Sequence, residues 1–138
     1  MSFGKGKQKG MPPIKKDQQR KRILLVDDDA AFRFVVNKML GDEGFSITQA
    51  EDGSEAIEKL QKEHFDLVLL DIFMPIVSGF EVLKFVREQS IKTNVIMVTG
   101  YSDLKLAVEA KTLGASDFIA KPVMRDDLFS TIEKALAD

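Results

Sequence analysis

Residues 65–75 read FDLVLLDIFMP, and this stretch decides the fold. The four consecutive aliphatic residues 67–70 are too few for a buried helix, and they predict a strand covered on both faces, as in a parallel sheet. The strand ends on a carboxylate, Asp71, and Pro75 stops it from continuing. An acid at the carboxyl end of a buried parallel strand lies at the edge where open α/β sheets bind ligands. Asp71 is therefore the first candidate functional residue.

The remaining chain predicts an alternation of strands and helices. Further strands are predicted at residues 23–26, 45–50, 95–98 and 117–120. Helices are predicted to begin at Asp29 or Ala30, at Ser54, at Ser78 with a capping-box pattern, and at Ser102 or Asp103. The last helix is marked by the apolar residues Leu128, Ile132, Ala135 and Leu136. Five strands alternating with five helices predict an α/β fold with a parallel sheet and helices on both faces.

In such a sheet all strand carboxyl ends lie at one edge. That edge collects a separate acid, three clustered acids, a hydroxyl and an ammonium, which belong to Asp71, Asp27, Asp28, Asp29, Thr99 and Lys121. Carboxylate ligands without His or Cys favour a hard cation such as Mg²⁺. Asp71 is then a candidate nucleophile that forms an acyl phosphate, with Thr99 and Lys121 available to phosphoryl oxygens.

Five motifs, in this order and spacing, resemble the receiver domain of bacterial two-component response regulators. They are residues 23–29, 66–75 with Gly79, 98–100, 114–115 and 121–122. The resemblance covers residues 22–137. It implies a doubly wound, flavodoxin-like sheet of five parallel strands in the order 2-1-3-4-5, with five helices.

The resemblance also implies a role for each acid. Asp71 accepts a phosphoryl group from a histidine kinase or a phosphotransfer protein. Asp27 and Asp28 hold Mg²⁺, Asp28 directly, and the Asp71 carboxylate and the Phe73 backbone carbonyl complete the protein ligands. Apart from its own phosphorylation and dephosphorylation, such a domain catalyses nothing, so it is not expected to be an enzyme.

Residues on the last two strands have implied roles as well. Thr99 and Lys121 contact the phosphoryl group, and Phe118 occupies the family's switch-aromatic position, turning inward when Thr99 moves. The Lys121–Pro122 peptide bond is expected to be cis. Only 17 residues follow Lys121, enough for one helix, so output is expected through contact with a downstream protein.

Three other classes share part of this pattern. A phosphatase of the haloacid-dehalogenase type also uses an Asp nucleophile and Mg²⁺, but it requires a second acid where this chain has Phe73. A flavodoxin-type electron carrier requires a hydroxyl- and glycine-rich phosphate loop after the first strand, where this chain has three acids. A receiver-like scaffold that signals without phosphorylation does not require the site residues, all of which are present here. A phosphorylatable receiver is therefore the expected function.

Charge and composition divide the chain into two parts. Residues 1–22 carry eight Lys or Arg and one Asp, so a segment of net charge +7 precedes a domain of net charge −9. We expect residues 1–21 to form a basic disordered tail and residues 22–138 to form the receiver domain. The chain has no cysteine and no apolar run of membrane-spanning length, so a cytoplasmic protein without membrane or domain-borne nucleic-acid contact is expected.

The fourth predicted helix is apolar on two nearly opposite sides. One side holds Leu106, Ala110 and Leu113, and the other holds Leu104, Ala107 and Val108. The resemblance assigns the first side to the core. The second is then predicted to contact a partner protein, or a second copy of the chain in a phosphorylation-linked dimer.

Two aromatic residues flank the predicted phosphorylation site. Phe73 follows Asp71 by two positions, and Tyr101 follows Thr99 by two positions. In receivers these positions border the path of the water that hydrolyses the phosphoryl-aspartate. Because Phe73 offers no hydrogen bond to that water and two rings would narrow its approach, slow self-dephosphorylation is predicted.

Overall fold

The computed structural model describes residues 21–100 and 104–137, where five strands alternate with five helices. The strands are β1 (Arg22–Val26), β2 (Ser46–Ala50), β3 (Leu67–Asp71), β4 (Asn94–Thr99) and β5 (Asp117–Ala120). The helices are α1 (Ala30–Gly41), α2 (Gly53–Lys62), α3 (Gly79–Glu88), α4 (Leu104–Thr112) and α5 (Arg125–Ala137). The predicted alternation is confirmed. The predicted tail, apart from Lys21, and the predicted start of α4 at Ser102 or Asp103 lie outside the described residues.

All strand pairs in the sheet are parallel, and their order is β2-β1-β3-β4-β5. The predicted fold class and strand order are therefore confirmed. β3 lies at the centre, and every residue from Leu67 to Asp71 is buried. The central position explains the unbroken aliphatic run, because both faces of this strand are covered.

Two hydrophobic cores lie on opposite faces of the sheet. Val68 and Leu70 of β3 point into the core beneath α2, α3 and α4, whereas Leu67 and Leu69 point into the core beneath α1 and α5. This division follows from the two-residue period of a strand. The sheet is thus covered on both faces, and its edge at the carboxyl ends of the strands is left for the functional residues.

The helix starts are fixed by caps, and one differs from the prediction. Asp29 caps α1 and Ser78 caps α3 in a capping box, as predicted. α2 is capped by Asp52 rather than opened by Ser54, since Asp52 Oδ1 accepts a 2.8 Å hydrogen bond from the Glu55 N–H. Gly53 is then the first helical residue, and a Cβ there would lie 2.5 Å from the Val77 carbonyl oxygen.

The two sides of α4 differ in burial as the sequence predicts. Ala110 is buried, and Leu106 and Leu113 pack against the core beneath α2, α3 and α4. Leu104 and Val108 are 80% and 56% exposed. An apolar side of α4 therefore faces away from the sheet. Within residues 21–100 and 104–137, none of the helices has the length and apolarity needed to cross a membrane.

Candidate functional site

Three carboxylates meet at the carboxyl ends of β1 and β3. Asp27, Asp28 and Asp71 each place a carboxylate oxygen within 4.8 Å of the others. Val26 and Leu70 are register partners on neighbouring strands, so the residues that follow them are brought together by the sheet itself. Asp27 and Asp71 are buried, and Asp28 is exposed. The three acids thus form a cluster of negative charge in which two members are buried and one faces solvent.

The donor set of this cluster fits a hard divalent cation. It offers carboxylate oxygens, contains neither His nor Cys, and has one solvent-facing member through which metal-bound water could remain. Asp29 is oriented differently, because its Oδ1 accepts hydrogen bonds from the N–H groups of Ala31 and Phe32. The local geometry therefore separates the helix cap from the three acids that can share an ion.

The pKa of Asp71 is raised to about 6. Burial contributes most, and the neighbouring charge of Asp27 adds to it, with a smaller contribution from Asp28. The ammonium of Lys121 and a hydrogen bond from the Phe73 backbone N–H act in the opposite direction. A bound cation would offset the repulsion among the acids, so the raised pKa is consistent with a site built for a metal ion.

Lys121 lies beside the acids at the end of β5. Its Nζ is 2.7 Å from Asp27 Oδ2, an ion pair with one buried partner that is not a well-directed hydrogen bond. Its backbone N–H donates a 2.8 Å hydrogen bond to the Thr99 carbonyl oxygen, which joins the ends of β4 and β5. The Lys121–Pro122 peptide bond is cis, as predicted. The ion pair with Asp27 places the ammonium beside the acidic cluster.

The other predicted site residues occupy the same edge or lie just behind it. Thr99 is buried at the end of β4, one residue after Val98, the register partner of Asp71. Phe118 is half-buried and packs against the core beneath α2, α3 and α4. The Phe73 side chain is 48% exposed, and Tyr101 lies outside the described residues.

Two residues at the site were not identified from the sequence. Arg33 donates from Nη1 to the Asp27 carbonyl oxygen at 2.6 Å and from Nε to Gln49 at 3.0 Å, which ties α1 to the ends of β1 and β2. Phe32 places its ring beneath the Lys121 ammonium, with Nζ 4.2 Å from the ring centroid. Phe32 was not predicted to belong to the site, because a contact across 89 positions leaves no mark in local sequence.

This fold, with its acids, threonine and lysine at one edge, defines a receiver domain. The family described as "Response regulator receiver domain" matches residues 23–133, and the chain belongs to it. The chain is therefore a phosphorylatable receiver of two-component signalling. Receiver domains are generally signalling modules rather than enzymes; they bind Mg²⁺ and interact with histidine kinases and downstream effectors.

Individual relatives agree with this membership. The chain is 35% identical to the chemotaxis protein CheY of Bacillus subtilis, over 83% of this chain and 97% of that protein. It resembles the structure of the chemotaxis protein CheY4 of Vibrio cholerae with a TM-score of 0.80 and 35% identity, covering 85% of this chain and 99% of the other. The response regulator TrrA of Thermotoga maritima, solved in complex with Mg²⁺-BeF, has a TM-score of 0.77 and 35% identity, over 84% and 99% of the two chains.

Many relatives are much longer than this chain. It spans 18% of a sensor kinase/phosphatase of Vibrio cholerae, CqsS, and 26% to 56% of several transcriptional regulatory proteins. The shared part is the receiver domain, so the matches establish this domain and not the activities of the longer proteins.

Proposed function

We propose that Asp71 is the residue that accepts the phosphoryl group and that Asp27, Asp28, Thr99 and Lys121 serve it. The supporting observation is that three carboxylates, a buried threonine and an ion-paired lysine converge at one edge of the sheet. Two buried carboxylates in one charged cluster cost stability, which a purely structural role would not explain.

In the proposed reaction, a carboxylate oxygen of Asp71 attacks the phosphorus of a phosphohistidine on a histidine kinase or phosphotransfer protein. The new O–P bond forms as the P–N bond breaks, and the histidine nitrogen keeps the electron pair and takes up a proton. Thr99 donates a hydrogen bond to a phosphoryl oxygen, and Lys121 contacts another. With its pKa near 6, Asp71 is mostly ionised, and so nucleophilic, at neutral pH.

The proposed metal ligands are Asp27, Asp28, the Asp71 carboxylate and the Phe73 backbone carbonyl. Bound there, Mg²⁺ would neutralise negative charge on the acids and on the phosphoryl oxygens. Asp27 and Lys121 are already ion-paired, so the cation would compete with the ammonium for this carboxylate.

Measurement of intact mass tests the assignment. After incubation with Mg²⁺ and acetyl phosphate, the wild type should gain one phosphoryl group and Asp71→Asn should gain none. Asp29→Asn is the matched control, because Asn is an equally good helix cap and leaves the acidic cluster unchanged. Phosphorylation of Asp71→Asn would show that another residue is the acceptor, and an unmodified wild type would favour a scaffold that signals without phosphorylation.

We further propose that output uses the side of α4 formed by Leu104, Ala107 and Val108, in which Ala107 is half-buried. Leu104 and Val108 are exposed, and β5, which carries Phe118, packs beside α4. Inward rotation of Phe118 on phosphorylation would bias this surface towards a downstream protein or a second copy of the chain.

The mass of the phosphorylated protein in solution tests one form of this proposal. If the surface joins two copies, Val108→Asp should abolish a phosphorylation-dependent increase in mass measured by light scattering. Lys111→Gln, on the same helix and also exposed, is the control, because it lowers the net charge by one as Val108→Asp does. Association that survives Val108→Asp would place the contact elsewhere.

A further inference from the structure

The ammonium of Lys121 lies between a carboxylate and an aromatic ring. Its Nζ is 2.7 Å from Asp27 Oδ2 and 4.2 Å from the centroid of the Phe32 ring. A cation above a ring face at this distance is attracted by the ring quadrupole, and the attraction is stronger where water is partly excluded. The Lys121 side chain is 22% exposed, so part of its hydration is already lost.

The Phe32 ring is itself held firmly. Phe32 lies in the first turn of α1, and its backbone N–H donates a 3.2 Å hydrogen bond to the Asp29 cap. The ring packs against the core beneath α1 and α5, beside Val36 and Leu128. A half-buried ring anchored by a helix cap and a core can hold a flexible lysine in place.

The proposed reaction affects the ion pair of Lys121 with Asp27 and its contact with the Phe32 ring differently. A cation or a phosphoryl group at the acids competes with Lys121 for Asp27 or draws its ammonium towards a phosphoryl oxygen. The Phe32 ring carries no charge, so neither the cation nor the phosphoryl group competes with the ammonium for it. Phe32 is therefore a contact that Lys121 can keep while its ion pair with Asp27 is exchanged.

We propose that Phe32 is a positioning residue, which holds the Lys121 ammonium beside the acidic cluster, where it meets the incoming phosphoryl group. This rests on the proposed role of Lys121. A long side chain without such a restraint would spread over many rotamers, and its ammonium would be in place for less of the time.

Phosphorylation rates in three variants test the proposal. In Mg²⁺ and acetyl phosphate, Phe32→Leu, which keeps apolar packing but removes the ring face, should be phosphorylated about 2- to 10-fold more slowly than the wild type. Phe32→Tyr keeps the ring face and should retain the wild-type rate. Phe45→Leu removes a ring from the same core at the opposite end of the sheet and should also retain it.

A spectroscopic measurement tests the contact directly. Protons held above a ring face resonate upfield, so the ε-methylene protons of Lys121 should be shifted upfield in the wild type and in Phe32→Tyr, but not in Phe32→Leu. Their signal is assigned by its loss in Lys121→Met. An unshifted wild-type signal would overturn the proposal whether or not Phe32→Leu folds.

The possible failures can be told apart. If the wild type is phosphorylated and Phe32→Leu is phosphorylated at the same rate, this proposal is overturned and the proposed function is not. If Phe45→Leu is phosphorylated as slowly as Phe32→Leu, the effect of Phe32→Leu comes from lost core packing and not from the contact with Lys121. A wild type that takes up no phosphoryl group would overturn the proposed function, and this inference with it.

Discussion

A Cβ atom on Gly79 would lie 2.1 Å from the backbone carbonyl oxygen of Asp71. The first residue of α3 thus packs directly on the end of β3, and its N–H donates a 2.7 Å hydrogen bond to the Ile72 carbonyl oxygen. This hydrogen bond joins the two ends of the loop between β3 and α3, which contains Phe73. A glycine is required here because of close approach, not because of backbone conformation.

Replacing Gly79 with Ala should therefore push α3 away from the site. We expect a loss of about 1–3 kcal/mol in the free energy of unfolding, measured by urea denaturation, together with slower phosphorylation. Gly41→Ala is the control, since a Cβ at Gly41 would meet nothing within 4 Å and Ala favours the helix end. Wild-type stability in Gly79→Ala would show that α3 can shift without cost.

The raised pKa of Asp71 makes stability depend on pH in a defined direction. The folded carboxyl group binds its proton more tightly than the unfolded one, with a pKa of about 6 against 3.8. Its contribution to stability is complete below pH 3.8 and is lost as the pH rises through about 6. In a chelator, Asp71→Asn should thus be about 1–3 kcal/mol more stable than wild type at pH 8 and nearly equal at pH 4.

Urea denaturation at the two pH values gives this comparison. Asp29→Asn should follow the wild type at both. If the stability difference between Asp71→Asn and wild type does not change with pH, ionised Asp71 does not destabilise the folded protein.

The two neighbouring acids at the start of α1 should respond differently to substitution. Asp28 belongs to the acidic cluster, whereas Asp29 accepts hydrogen bonds from the first turn of α1. Asp28→Ala should lose Mg²⁺-dependent phosphorylation, and Asp29→Ala should lose about 0.5–2 kcal/mol of stability while retaining metal binding. Titration with Mg²⁺ separates the two, and equal loss of Mg²⁺ affinity in both variants would contradict the assignment.

The sequence predicted the fold because its signals were local. The aliphatic run of residues 67–70 predicted a strand that is covered on both faces. In a parallel sheet, the acids that follow Val26 and Leu70 then lie side by side at the carboxyl ends of two neighbouring strands. The cap of α2 was misplaced by two residues, because Asp52 and Ser54 are both good caps and only the close packing of Gly53 on Val77 decides between them. The Phe32–Lys121 contact depends on side-chain positions that no local pattern encodes.

The conformation of Ile76 was also not predictable from its residue type. It has φ of 71°, a left-handed conformation that β-branched residues rarely adopt, and its side chain is 96% exposed. Ile76→Gly should raise the free energy of unfolding by up to about 1 kcal/mol, since relief of strain exceeds the entropy cost of glycine. Val35→Gly, an exposed helical position, should lower it, and a loss in both variants would show that Ile76 is not strained.

The lifetime of the phosphoryl group on Asp71 depends on how water reaches it. Hydrolysis of an acyl phosphate requires a water molecule held in line with the phosphorus, and a polar side chain nearby contributes by orienting it. The Phe73 ring, two residues after Asp71, is only half exposed and has no group that can hydrogen-bond to water. We expect slow loss of the phosphoryl group in the wild type.

Polar groups at the two flanking positions should shorten that lifetime. In a Phe73→Asn/Tyr101→Glu variant, an amide and a carboxylate could orient the water, so hydrolysis should be about tenfold faster, which corresponds to about 1.4 kcal/mol at the transition state. The decay of the phosphorylated mass after removal of the phosphodonor measures both rates, and Phe73→Leu is the control that changes the ring without adding a polar group. A double variant that decays no faster than the wild type would mean that neither ring governs access of water to the phosphoryl-aspartate.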